Sequence, residues 1–252
     1  MIFTGRKEDS RLVRGLGLFV DDEQSGKHLH VRLVRSPYAH ARVLHVDTSA
    51  AERLDGVVCV LTGAEVAALT KPFPQMAPAP TNQLRDYCMA IDKVRFQGEP
   101  VAAVAAISPE IAEDAAELVR VDYEPLDAVV DAVAALENKV VLHEVIGTNQ
   151  IFGDVFEWGQ VDDAFRRADH VVNIDRLHFH RFSSTPLEPF ATLVTWEAGG
   201  RLDVFCNISQ PGVAIKFLAP PLGMSPDDVR VRTHDIGGVK KCGERSCFPT
   251  SC

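Results

Sequence analysis

The 252 residues are 46% apolar and 24% charged, with a net charge of −9. Such a chain has the length for one large or two ordinary globular domains and can bury a core without staples. No cluster of Lys and Arg offsets the charge, so nucleic acid and anionic membrane are excluded as partners. The longest purely apolar run, 101–107, is too short to span a bilayer, and the first nine residues lack the apolar stretch of a signal peptide. A cytoplasmic protein is expected. The six cysteines form no Cys-x-x-Cys pair. Neither a zinc ribbon nor a cysteine-held iron–sulfur cluster is indicated, and reduced, mostly buried thiols are expected.

Taken in chain order, residues 1–27 are polar and rich in turn signals, a lead-in that wraps a neighbour. Leu29, Val31 and Leu33 alternate with His30 and Arg32, the pattern of a half-buried strand. Residues 42–46 alternate again. The continuous apolar run 57–61 predicts a strand covered on both faces. A short helix is predicted at 65–69. Four prolines between Pro72 and Pro80 then make a loop. Residues 93–96 and 100–106 predict two strands hinged at 97–99. Ser108 is a good N-cap and Pro109 suits the first helical position. Ile111, Ala112, Ala115, Ala116, Leu118 and Val119 then share one helical face. Strands are predicted at 120–124 and 128–131, a connection over 132–160, a helix at 161–168 and a long strand at 170–182. Two strands, a helix and a last strand over 229–233 complete an α+β pattern.

Few residues carry chemistry by spacing. His28 with His30, and His178 with His180, each set two imidazoles on one strand face, a spacing that can bind metal. A metal-dependent hydrolase using His178 and His180 is one reading. Gly237 and Gly238 follow a strand directly, where glycines admit either a plain tight turn or close approach of backbone N–H groups to an anion. Gln210 stands at the cap position if Pro211 is the first helical residue. Gln is a poor cap, but a helix start attracts anions and oxo groups to which its amide can donate. Glu188-Pro189 reads as a turn or a buried carboxylate. No nucleophile–base arrangement of a hydrolase is legible.

Several segments resemble molybdenum hydroxylase large subunits, the xanthine dehydrogenase, aldehyde oxidase and carbon monoxide dehydrogenase family. They include Arg6 to Leu12, Val34-Arg35-Ser36-Pro37-Tyr38-Ala39-His40-Ala41-Arg42, Gly98-Glu99-Pro100-Val101-Ala102 and Val121-Asp122-Tyr123-Glu124-Pro125-Leu126. Leu187-Glu188-Pro189, Ser209-Gln210-Pro211, Val229-Arg230-Val231 and Asp235-Ile236-Gly237-Gly238 continue the likeness in order. The resemblance implies an α/β hammerhead domain over 1–135. The incomplete first part of a molybdopterin-binding α+β domain would follow over 150–238. It implies a molybdenum–molybdopterin cofactor, partner subunits carrying iron–sulfur clusters and FAD, and oxidative hydroxylation of an aldehyde, an N-heterocycle or a CO-like small substrate. Gln210 would be the catalytic-site residue that hydrogen-bonds an oxo ligand of molybdenum, and Gly237 and Gly238 would lie against the cofactor.

The likeness stops at the last turn. The family continues with a third glycine and Phe-Gly, whereas Val239-Lys240-Lys241-Cys242 follow here, and three of the six cysteines fall in the divergent tail 239–252. A truncated or frameshifted product that does not hold cofactor by itself is the expectation. The Cys242, Cys247 and Cys252 spacing leaves a metal or redox tail as the other reading.

Overall fold

A computed structural model describes residues 5–23, 28–175, 177 and 187–237. Nine strands and seven short helices occur among them. They are α1 (Asp9–Leu12), β1 (His30–Arg35), β2 (Ala41–Asp47), α2 (Ser49–Glu52), β3 (Val57–Thr62), α3 (Gly63–Leu69), β4 (Lys93–Val94), β5 (Pro100–Ala106), α4 (Pro109–Leu118), β6 (Arg120–Pro125), α5 (Ala132–Ala135), α6 (Val161–Arg167), β7 (Thr192–Glu197), β8 (Arg201–Cys206), α7 (Pro211–Leu218) and β9 (Val229–Arg232). The strands form three three-stranded sheets in the orders β1-β5-β3, β4-β2-β6 and β7-β8-β9.

The first two sheets make one packed unit around β5. Val101 packs with Ala41, Ala90 and Val94 on one side. Ala102 and Val104 pack with Val60, Ala51, Ala115 and Val119 on the other. A strand alternates its side chains, so a fully apolar strand is one with a layer on each face. The run 57–61 shows the same composition but takes a different place. β3 is a sheet edge, Val58 is 56% exposed and Cys59 is exposed, so the expectation of cover on both faces fails there. An apolar run gives strand character but not position in the sheet. α4 begins as the sequence predicts: Ser108 Oγ accepts the Ile111 N–H at 3.2 Å, and Pro109 opens the helix. Ala112 and Ala115 are small enough to bring the helix against β5 and β1.

The second unit holds β7, β8, α7 and β9. β7 and β8 pair antiparallel from Thr192↔Cys206 to Glu197↔Arg201. β8 and β9 pair parallel from Leu202↔Val229 to Phe205↔Arg232, and α7 is the crossover between them. Leu202, Val204, Cys206, Ile208, Ala214, Ala219 and Val229 form its core. The proline-rich loop supplies Phe73 to this core, and the Lys71 N–H donates to the Pro221 carbonyl at 2.8 Å. The proline-rich loop therefore joins the two units.

Two predicted strands are not formed among the described residues. Residues 128–131 and 170–175 are in no ladder. Val171, Val172 and Ile174 remain exposed, because alternation alone supplies no partner for the backbone groups. Asp131 instead caps α5, accepting the Val133 and Ala134 N–H groups at 3.0 and 2.9 Å. The remainder of the predicted strand, 178–182, lies outside the described residues.

Candidate functional site

The site is set by the parallel pair. Strands that run parallel end at the same sheet edge, and ligands of open α/β sheets bind beyond those carboxyl ends. β8 ends at Cys206, and Gln210 follows four residues later as the residue before α7. β9 ends at Arg232, and Gly237 follows five residues later. Topology thus carries the Gln210 helix start and the Gly237 turn to one edge. Phe205 and His234 meet edge-to-face at 4.9 Å, which keeps the segment after β9 against the end of β8.

Gln210 has the features an amide donor needs. It is exposed, its side chain makes no capping hydrogen bond, and Pro211 occupies the first helical position. A Cβ added at Gly212 would meet nothing within 4 Å, so the helix start faces open space. The positive end of the helix and a free carboxamide suit an anionic or oxo-bearing group.

Gly237 is tied to Glu188. Its N–H donates to Glu188 Oε2 at 2.7 Å, and the Glu188 N–H returns a bond to its carbonyl at 3.4 Å. A Cβ on residue 237 would sit 2.4 Å from Glu188 Cβ. Glycine is required here for the close approach of Glu188, and this amide is engaged by a carboxylate. Gly238 lies outside the described residues.

Two acidic residues of this unit, Asp235 after β9 and Asp203 within β8, are neutralised by arginines. Arg11 forms a two-pronged ion pair with Asp235, its Nη2 at 2.5 Å from Oδ1, and the Leu18 N–H donates to the same carboxylate at 2.9 Å. The Arg11 hydrogen bond is the main reason the Asp235 carboxyl is held down at about 2. Asp203, 5% exposed, accepts from Arg230 Nη2 at 2.7 Å and Arg232 Nε at 3.0 Å across the β8–β9 ladder. Arg230 first, then Arg232, hold its carboxyl near 2 as well. Arg232 also lies over the Phe205 ring, 5.3 Å from its centre. These partners are 27 to 224 residues apart in sequence, so no spacing signals them; the cue is that Arg11, Arg230 and Asp235 fall in family-like segments.

The matches to known families agree with this geometry. Residues 14–127 match the family described as aldehyde oxidase and xanthine dehydrogenase, a/b hammerhead domain. Residues 142–239 match the molybdopterin cofactor-binding domain. The chain belongs to the molybdenum hydroxylase family. It is 34% identical over 245 residues to 6-hydroxypseudooxynicotine dehydrogenase complex subunit gamma of Paenarthrobacter nicotinovorans, covering 92% of this chain and 30% of that one. It is also 34% identical over 249 residues to the carbon monoxide dehydrogenase large chain of Afipia carboxidovorans, with the same coverage. The crystal structure of quinoline 2-oxidoreductase from Pseudomonas putida 86 superposes with a TM-score of 0.83 at 32% identity, over 93% of this chain and 30% of that one. The chain thus spans about a third of the length of these large-subunit relatives.

Membership accounts for the α+β architecture, a hammerhead domain followed by the start of a molybdopterin-binding domain, and names molybdenum–molybdopterin as the family's cofactor. The residues present fit such a group: an uncommitted carboxamide, a helix start beside open space and a glycine turn share one edge. The hydrolase reading finds no support in the family matches, and His178 and His180 lie outside the described residues. Among the described residues no group of three His, Cys, Asp or Glu side chains is placed to hold a metal ion. His28 and His30 do stand together, with ring centres 4.8 Å apart. The expectation of mostly buried thiols is corrected, since Cys59 and Cys88 are exposed and only Cys206 of the described three is buried. The tail 239–252 lies outside the described residues. No described helix is long and apolar enough to cross a membrane.

Proposed function

We propose that this chain supplies the hammerhead domain and the opening part of the cofactor-binding domain of a molybdenum hydroxylase. In this reading the hydroxylase oxidatively hydroxylates an aldehyde, an N-heterocycle or a CO-like small substrate. The observation that carries the reading is the β8–α7–β9 crossover, which sends Gln210 and the Gly237 turn to one edge. Gln210 would hold the metal end of the cofactor through its carboxamide N–H, and the turn beginning at Gly237 would lie against the pterin. The bound cofactor supplies the two-electron redox chemistry that no side chain offers. This chain's own residues orient it and neutralise nearby carboxylates. The named relatives are a subunit of 6-hydroxypseudooxynicotine dehydrogenase and the large chain of a carbon monoxide dehydrogenase, and the superposed structure is a quinoline 2-oxidoreductase, which supports the substrate range. Iron–sulfur and FAD subunits are the partners that such a centre needs to pass electrons on. A cytoplasmic setting goes with that assembly. Titrating the folded chain with molybdenum cofactor released from a donor enzyme tests the reading. Saturable binding, weakened about tenfold or more by Gln210→Ala, is expected; equal binding by both chains would contradict it.

A second reading concerns the 252 residues acting alone, and the exposed apolar surface favours it. Trp158 is 80% exposed and Leu187 98%, and α6 buries no residue. Trp158, Val161, Phe165, Val171 and Val172 line one open groove. Apolar surface on this scale is ordinarily covered. Without that cover the second unit is less firmly held, and so is any cofactor bound to it. The isolated chain, purified from cells that make the cofactor, is expected to carry well under one molybdenum per chain by metal analysis. Stoichiometric molybdenum would overturn this second reading.

A further inference from the structure

We propose that Arg11 and Glu188 are positioning residues for the cofactor-facing turn, holding residues 235–237 from two sides, with Asn207 tying that fixture to the strand that leads to Gln210. The proposal rests on the reading of this edge as the cofactor site and adds how the edge is kept in shape. On one side the lead-in segment grips Asp235. Arg11 forks onto both carboxylate oxygens, the Leu18 N–H adds a bond of 2.9 Å, and the Asp235 N–H donates back to the Leu18 carbonyl at 3.1 Å. A planar guanidinium matched to a carboxylate fixes orientation as well as distance. On the other side Glu188 brackets Gly237 with its carboxylate and its backbone N–H. Only Ile236 separates the two grips.

Glu188 is placed in turn by Asn207. This side chain is 1% exposed; it donates to the Pro189 carbonyl at 2.8 Å and accepts the Ala191 N–H at 3.2 Å. Asn207 stands three residues before Gln210. Hydrogen bonds joined by short stretches of chain therefore run from the Gln210 helix start through Asn207, Pro189 and Glu188 to Gly237, and through Ile236 to Asp235 and Arg11. A ligand edge whose donors come from two strands works only if their separation is fixed, and shells of this kind fix it. None of the four side chains is asked to touch reacting atoms.

Amide exchange and cofactor titration on the 15N-labelled full chain test this. Arg11→Ala and Glu188→Ala are each expected to speed hydrogen exchange at the Gly237 amide about tenfold while the thermal midpoint of the hammerhead core stays put. Glu188→Gln, which keeps an acceptor for that amide, is expected to restore most of the protection. Arg32→Ala, which breaks the exposed pair with Glu113 on α4, is the control expected to change nothing. In titrations with cofactor released from a donor enzyme, the binding midpoint of both Ala variants is expected to rise about tenfold. Unchanged Gly237 exchange in Arg11→Ala, or an unchanged binding midpoint, would overturn the proposal. An unmodified chain that takes up no cofactor even at saturating concentration would instead overturn the first functional reading and favour the second. The exchange data would then still decide whether Arg11 and Glu188 set the turn.

Discussion

Single residues show most plainly where geometry leaves no choice. Gly63 opens α3 beside the chain at Ala90, and a Cβ there would lie 1.8 Å from the Ala90 carbonyl oxygen. Backbone, unlike a flexible side chain, cannot step aside. Gly63→Ala is expected to lose about 2–3 kcal/mol of stability or more, read as a lower denaturant midpoint. Asn207→Ala would strand the Pro189 carbonyl and the Ala191 N–H, and is expected to cost about 1–3 kcal/mol. His143 offers a pH test. Burial, with Arg95 next, pushes its imidazole down to about 4, so it is neutral in the folded chain at pH 7. The unfolded state takes up this proton as pH falls below about 6.5. Folded stability is therefore expected to decline from pH 6.5 toward 4, and His143→Phe to flatten that decline in thermal melts across the range. None of these three was legible in the chain, since Gly63, Asn207 and His143 owe their roles to groups 27, 16 to 18 and about 50 residues away.

At the scale of elements, local rules and tertiary placement separate cleanly. Helix starts were readable because capping is local: Ser108-Pro109 opens α4, and Gln210-Pro211 opens α7. The two caps differ in what they do. Ser108 accepts an amide, so Ser108→Ala is expected to cost about 1 kcal/mol. Gln210 accepts none, so Gln210→Ala is expected to shift stability by less than about 0.5 kcal/mol while weakening cofactor binding. A stability loss of the Ser108 size at residue 210 would mark it as a structural cap and count against its assigned task. Strands were harder. Period and composition revealed β1, β2, β5, β6 and β9, yet misplaced cover onto β3 and drew strands at 128–131 and 170–182, of which 128–131 and the described 170–175 lack ladders. A ladder depends on a partner that no window of sequence contains. The grip of the lead-in on Asp235 had the same obscurity, although the polar, turn-rich character of residues 1–27 did predict that they wrap a neighbour.

Across the whole molecule, two units are joined by Phe73, by Lys71 on Pro221 and by the Arg11–Asp235 pair, so the hammerhead domain and the cofactor edge share a frame. Charge linkage across that frame is testable. Asp203 and Asp235 both have carboxyls held near 2, against about 3.9 when unfolded. The unfolded chain binds more protons between those values, so their stabilisation is complete above pH 4 and is lost as pH falls toward 2. Asp203→Asn is expected to make the unfolding midpoint less sensitive to pH in that window. The family-like segments singled out residues 210 and 237, and the parallel pairing of β8 with β9 is the physical reason both follow strands that end at one edge, the edge proposed for the cofactor. The most direct test of that edge is the side-chain amide signal of Gln210 in the 15N-labelled chain during titration with released molybdenum cofactor. The account predicts a saturable shift of that signal together with the amides of residues 212–214 and 237. Cofactor binding that leaves Gln210 and its helix start unmoved would contradict it.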